Sequence, residues 1–130
     1  MAPMKLYWST LSCNVTRCVA VLEEAGAHYE ILPLDFSQGD HKAPDHLSRN
    51  PFGQVPALLD GDLFLWESRA ICLYVCRMTK PELLKDGYLQ ESAMVDVWLE
   101  VQSNQYTPAL NPFSFISDLS PARIDVYGGH

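Results

Sequence analysis

The sequence has no apolar run approaching the roughly 20 residues that a helix needs to cross a bilayer. Its opening, Met-Ala-Pro-Met-Lys-Leu-Tyr, lacks the charged-then-apolar pattern of a secretory signal, so a cytoplasmic location is expected. Basic residues are scarce: nine Lys and Arg stand against sixteen Asp and Glu, for a net charge of −7. That balance argues against nucleic acid or an anionic membrane as the main partner. It leaves room for a small anion in a local basic pocket. Cysteines are few, at Cys13, Cys18, Cys72 and Cys76, with neither C-x-x-C nor zinc-type spacing. Cys72 and Cys76 lie one helical turn apart, which suits a disulfide poorly. Free thiols, buried or half-buried in a reducing compartment, are expected instead. There are no repeats or low-complexity segments, and no stretch has a disordered composition.

What is present is enough for a core. The chain has 130 residues, 48% of them hydrophobic, which fits one domain or one domain and part of a second. Residues 5–8 form a short β-type run. Val15, Cys18, Val19, Leu22 and Ala25 then recur on one helical face, with Gly26 as a stop. Residues 29–34 read as a second strand, so the opening is a parallel crossover unit. Residues 35–50 are polar and predict an irregular loop with a short helix. Residues 57–59 and 63–65 are apolar runs joined by Asp60-Gly61-Asp62, a strong hairpin signal. A helix opening at Glu67-Ser68 carries Ile71, Tyr74, Val75 and Met78 on its apolar face. The order predicts an α/β domain: a mixed four-stranded sheet with helices on its faces. After a linker at 80–87, a long helix starts near Tyr88 or Gln90. Its expected buried stripe is Met94, Val97, Trp98 and Val101. Pro108 and Pro112 are expected to end or kink it.

Four places can carry chemistry. Ser12 lies between the first strand and first helix, where N–H groups and the helix dipole stabilise an anion. A hydrogen bond from its hydroxyl would favour a thiolate, and simple helix capping is the alternative. In Asn50-Pro51-Phe52-Gly53-Gln54-Val55-Pro56, a cis Val55-Pro56 bond would turn the Val55 backbone outward to pair with a peptide, and an ordinary turn is the alternative. Glu67 and Ser68 open a helix and suit a zwitterion, with Ser68 and helix N–H groups for a carboxylate and Glu67 for an ammonium; N-capping is the alternative. His41-Lys42 offers charge for a second carboxylate, or is a solvated pair. Together they suit one ligand, a short peptide with a carboxylate at each end, an ammonium and a central thiol. Glutathione is that molecule.

The sequence resembles the plant phi-class glutathione transferases. The match lies in Met-Lys-Leu-Tyr at 4–7, Asn-Val-Thr-Arg at 14–17, Leu-Glu-Glu-Ala-Gly at 22–26, His41-Lys42, residues 49–58, Asp60-Gly61-Asp62 and residues 67–71. It continues through Val-Asp-Val-Trp-Leu-Glu at 95–100 to about Pro112. The resemblance implies a thioredoxin-like glutathione-binding domain at 1–82 and the start of a C-terminal helical domain at 88–130. It implies Ser12 as the catalytic serine at the glutathione sulfur, and His41 and Lys42 near the glycyl carboxylate. Gln54 and Val55 fall at the cysteinyl backbone with Pro56 as the cis-proline, and Glu67 and Ser68 at the γ-glutamyl end. Phe52 is the side chain that inserts into a neighbouring subunit of a homodimer, and Arg17 is structural. The implied reaction is attack of glutathione thiolate on a hydrophobic electrophile, a detoxification, with glutathione as co-substrate and neither prosthetic group nor metal.

Two departures stand out. Trp8 occupies a position usually held by a small residue. The tail from Phe113 does not resemble the helices that should follow, so the chain reads as truncated after one helix of that domain. Two alternative functions follow: a glutathione-binding or dimerising module without efficient turnover, and a thiol transferase using Cys13. Cys13 stands one residue beyond the position that related classes use for cysteine chemistry; Ser12, five residues before Arg17, occupies it.

Overall fold

The computed structural model of the protein describes residues 2–9 and 12–110. Pro112 and the tail from Phe113, which bear on the sequence reading, lie outside the described residues. The chain divides into two compact units, residues 1–84 and 85–130.

In the first unit, β1 (Met4–Trp8), α1 (Cys13–Glu24) and β2 (Tyr29–Pro33) form the expected crossover. Short 3₁₀ turns at Phe36–Gln38 and Asp40–Lys42 lead into α2 (Pro44–Arg49), which accounts for the polar stretch at 35–50. The hairpin β3 (Ala57–Asp60) and β4 (Leu63–Trp66) follows, then α3 (Ser68–Thr79) and a 3₁₀ turn at Pro81–Leu84. The four strands make one mixed sheet in the order β2-β1-β3-β4. β1 pairs in parallel with β2 and antiparallel with β3, so that Leu6 lies opposite both Ile31 and Leu58.

The two faces of β1 divide the packing. Leu6 and Leu58 are fully buried beneath α1 and α3, together with Val15, Leu22, Ile71 and Val75. Each such side chain contributes roughly 1.5–3 kcal/mol by leaving water. Tyr7 points to the opposite face by strand alternation. There it meets α2, with its ring centroid 6.0 Å from that of His46 and the Arg49 guanidinium 4.2 Å above it. Helices therefore cover both faces. α1 and α3 are tied by two thiols: Cys18 Sγ lies 3.6 Å from the Ser68 carbonyl oxygen and Cys72 Sγ 3.9 Å from that of Arg17. The hydrogen bond with the Cys72 thiol, together with burial, pushes the Cys18 thiol far above its usual range. All four cysteines are free, with Cys18, Cys72 and Cys76 buried and Cys13 exposed.

The second unit contains α4 (Leu89–Val101), with Tyr88 as its N-cap. The helix does not stop short of Pro108. It widens into a π-helical segment, Gln102–Tyr106, and resumes as α-helix over residues 107–110. Proline lacks the N–H and crowds the carbonyl one turn back, and a π segment relieves both defects. Thr107 Oγ1 donates to the Gln102 carbonyl at 3.0 Å and seals the widened turn. The stripe expected to be buried is not. Met94, Val97 and Trp98 are exposed and Val101 is half-buried. A helix buries a stripe only against a second layer, and the described residues of this unit supply one helix.

The end of α1 is closed by a Schellman arrangement. The Ala27 N–H donates to the Leu22 carbonyl at 2.9 Å and the Gly26 N–H to that of Glu23 at 3.0 Å, with Gly26 at φ 65°. A Cβ at Gly26 would meet nothing within 4 Å. Gly26→Ala is therefore expected to cost about 1–2 kcal/mol from backbone conformation alone. Chemical denaturation of the variant beside the parent chain checks this.

Candidate functional site

Ser12 is the N-cap of α1, with extended backbone angles and no capping hydrogen bond from its hydroxyl. The capping alternative for this serine is thus unfilled, and its Oγ sits at the positive end of a 12-residue helix. Cys13, the next residue, is exposed at the first helical position. Trp8, at the end of β1, is half-buried and packs against the core.

Arg17 reaches from α1 to the start of α3. Its Nη1 donates to Asn14 Oδ1 at 3.0 Å and also to Ser68 Oγ. One guanidinium therefore joins the N-terminal turns of two helices. Ser68 is buried, and its hydroxyl, having accepted from Arg17, keeps a proton to donate. Glu67 is the N-cap of α3 and makes no capping bond. Its φ of 68° is unusual for a residue with a side chain, and it leaves the carboxylate exposed beside the buried serine. N-capping by either side chain is not what the structure contains.

The segment from Asn50 to Pro56 is held from inside the protein. Asn50, almost fully buried, accepts the Phe52 N–H at Oδ1 (3.0 Å) and donates from Nδ2 to the Gln54 carbonyl oxygen (3.1 Å). His46 Nε2 lies 2.7 Å from that same oxygen. The Val55-Pro56 peptide bond is cis. Among the described residues, neither the N–H nor the C=O of Val55 has a hydrogen-bond partner. The Gln54 side chain is exposed, and its role inside the protein is played by its main chain. Phe52 is 62% exposed.

His41 and Lys42 pack against this loop. Lys42 Nζ donates to the Phe52 carbonyl at 3.0 Å, which leaves its ammonium two further protons. The His41 ring lies 4.2 Å from that of Phe36 and is buried, with Nδ1 unpartnered. Burial, with lesser contributions from neighbouring Lys42 and His46, holds the His41 imidazole below its ordinary pKa. The positive charge of the pair therefore resides on Lys42 at neutral pH, and His41 serves as a neutral ring. Among the described residues no group of His, Cys, Asp and Glu could hold a metal ion, and no helix is long and apolar enough to cross a membrane.

Sequence reasoning did not single out His46 as a site residue, and it treated Asn50 only as part of a motif. Both are buried polar residues whose partners are main-chain atoms, so periodicity gives no signal for them. The available clue was a polar pair, His46 and Asn50, just ahead of the Pro51, Gly53 and Pro56 run.

The chain passes so close to itself at Gly53 that a Cβ there would stand 2.8 Å from the His41 carbonyl oxygen and 2.9 Å from Lys42 Cδ, at φ 60°. Gly53→Ala is expected to cost about 3 kcal/mol or more, since the left-handed conformation accounts for only the first 1–2. Its excess over Gly26→Ala in the same denaturation experiment isolates the close approach. A depressed His41 pKa also has a signed consequence. Above its unfolded value near 6.5 the ring is neutral in both states and contributes no pH dependence. As pH falls below that value the unfolded chain binds the proton first, so stability drops. His41→Gln is expected to flatten the decline in unfolding midpoint between about pH 6.5 and 5.5. A titration series of thermal melts checks it.

Residues 2–77 match the family model for the glutathione S-transferase N-terminal domain. A probable glutathione S-transferase of Oryza sativa subsp. japonica is 86% identical over 115 residues, which are 88% of this chain and 54% of the relative. Glutathione S-transferase 1 of Zea mays is 64% identical over 121 residues, 93% of this chain and 56% of that protein. The chain thus spans about half the length of these curated relatives. The solved structure of maize glutathione S-transferase I in complex with an atrazine–glutathione conjugate superposes with a TM-score of 0.86 at 63% identity, over 93% of this chain and 57% of that one. A structure of glutathione S-transferase-I bound to lactoylglutathione gives 0.82 at 66% identity, over 85% of this chain and 53% of that one. With a thioredoxin-like sheet, the matched N-terminal model and relatives of this kind, the chain belongs to the glutathione S-transferase family, among the plant phi-class members.

Proposed function

We propose that the first unit is the glutathione-binding domain of a transferase that conjugates reduced glutathione to electrophilic small molecules. The observation that carries the reading is Ser12: a serine at a helix N-cap whose hydroxyl does not cap. In this role its O–H donates to the glutathione sulfur. That bond, with the helix dipole, favours the thiolate at neutral pH. The thiolate then attacks the electrophilic carbon, the S–C bond forms as the leaving group departs with its electron pair, and the thiol proton goes to solvent. Val55 offers its N–H and C=O to the cysteinyl backbone, after Gln54 and before the cis Pro56. Glu67 takes the γ-glutamyl ammonium and Ser68 its carboxylate, while Lys42, beside the neutral ring of His41, takes the glycyl carboxylate. The maize relative's complex with an atrazine–glutathione conjugate supports an apolar ring compound as the electrophile class. The exposed Phe52 is proposed as the anchor of a homodimer.

A second reading rests on the second unit. Met94, Val97 and Trp98 of α4 are exposed. A chain in that state binds glutathione and associates with itself or other proteins without efficient turnover. Calorimetry with glutathione beside a conjugation assay on an aromatic electrophile separates the two. Binding with turnover supports the first reading, binding alone the second, and no binding removes both. Ser12→Ala is expected to leave the glutathione Kd within about threefold while lowering conjugation by roughly a hundredfold or more, as loss of a bond made chiefly to the thiolate. Cys13→Ser is expected to leave conjugation unchanged; an equal loss there would move the chemistry to the neighbouring thiol.

A further inference from the structure

The peptide group joining Gln54 to Val55 is fixed from its carbonyl side. A carbonyl oxygen only accepts, so the His46 nitrogen 2.7 Å away carries a proton at Nε2. His46 is fully buried, and its Nδ1 has no partner. As filler this is a poor choice, since an apolar side chain of similar size would bury no unpaired nitrogen. What the ring supplies to its surroundings is the donated bond.

That bond acts on the far side of the peptide plane. The only cis peptide bond among the described residues is Val55-Pro56, so the Gln54-Val55 bond is trans. In a trans peptide the N–H points opposite to the C=O. Whatever fixes the Gln54 oxygen therefore also aims the Val55 N–H, away from the buried ring. Donors at the oxygen polarise the amide as well and make its N–H a stronger donor. Among the described residues, the Val55 N–H has no hydrogen-bond partner.

We propose that His46 is a positioning residue for glutathione. Through the Gln54 carbonyl it orients and polarises the Val55 N–H that meets the bound tripeptide, without touching the tripeptide itself. The proposal rests on the glutathione reading given above.

Calorimetry of the full chain with reduced glutathione tests it, with His46→Leu and His46→Gln beside the parent. Leucine removes the donor, and glutamine retains a side-chain N–H. The Kd is expected to weaken roughly five- to twentyfold in His46→Leu and to stay within about threefold in His46→Gln. In the ligand-free, nitrogen-15-labelled protein the Val55 amide proton is expected downfield, to move upfield in His46→Leu and to return in His46→Gln. A purely structural role would not move that one resonance and restore it. A folded His46→Leu chain with the parental Kd, or with an unmoved Val55 amide, overturns the proposal. Should His46→Leu fail to fold, the parent and His46→Gln decide: a Val55 amide at an ordinary shift in the parent overturns it, and a downfield shift retained in His46→Gln supports it. A parent chain that binds no glutathione defeats the glutathione reading instead, and the Val55 shift still judges the part played by His46.

Discussion

The Gln54 carbonyl oxygen receives two buried donors, His46 Nε2 and Asn50 Nδ2, and much of the first unit is arranged around that convergence. It fixes α2 to the loop that follows. Asn50 accepts the Phe52 N–H with its other amide atom, so the loop closes on a side chain with no polar atom to spare for solvent. Gly53 lets the main chain slide beneath the His41 carbonyl, and Lys42 reaches over to the Phe52 carbonyl. Residues 39–56 thus form one clamped piece, and the open backbone of Val55 is presented at its end.

The junction of α1 and α3 is built differently. There a guanidinium, two thiols and two helix starts meet: Arg17 bonds Ser68 and Asn14, while Cys18 and Cys72 reach across to main-chain oxygens. A chain of net charge −7 can still host an anion here. The positive field is local, from Arg17 and the helix N-termini.

Much of this was legible in the sequence. Strand and helix periods gave the β-α-β and β-β-α order, and Gly26 and Asp60-Gly61-Asp62 set the stops to within a residue or two. The family resemblance implied a structural Arg17, and its guanidinium indeed joins α1 to Ser68 at the start of α3. Other features left little trace. The contribution of Gln54 lies in its carbonyl, which every residue has. His46 sits in a helix too short to show a period. The π segment depends on how Pro108 is accommodated, and a proline pattern predicts an interruption rather than its form. The α4 stripe was visible as a pattern, but burial is a property of two surfaces and a sequence pattern describes one.

The contacts of the loop and of the junction differ in their separation along the chain. The Gln54 clamp joins residues four and eight apart, whereas the Arg17–Ser68 and Cys18–Ser68 contacts join residues 51 and 50 apart. Closing a short loop costs less entropy than closing a long one. The loop at 50–56 is therefore a nearly self-contained fragment, whereas the junction of α1 and α3 needs the whole sheet to bring the two helices together. Any loosening of the sheet parts the Arg17–Ser68 junction first and leaves the loop at 50–56 standing.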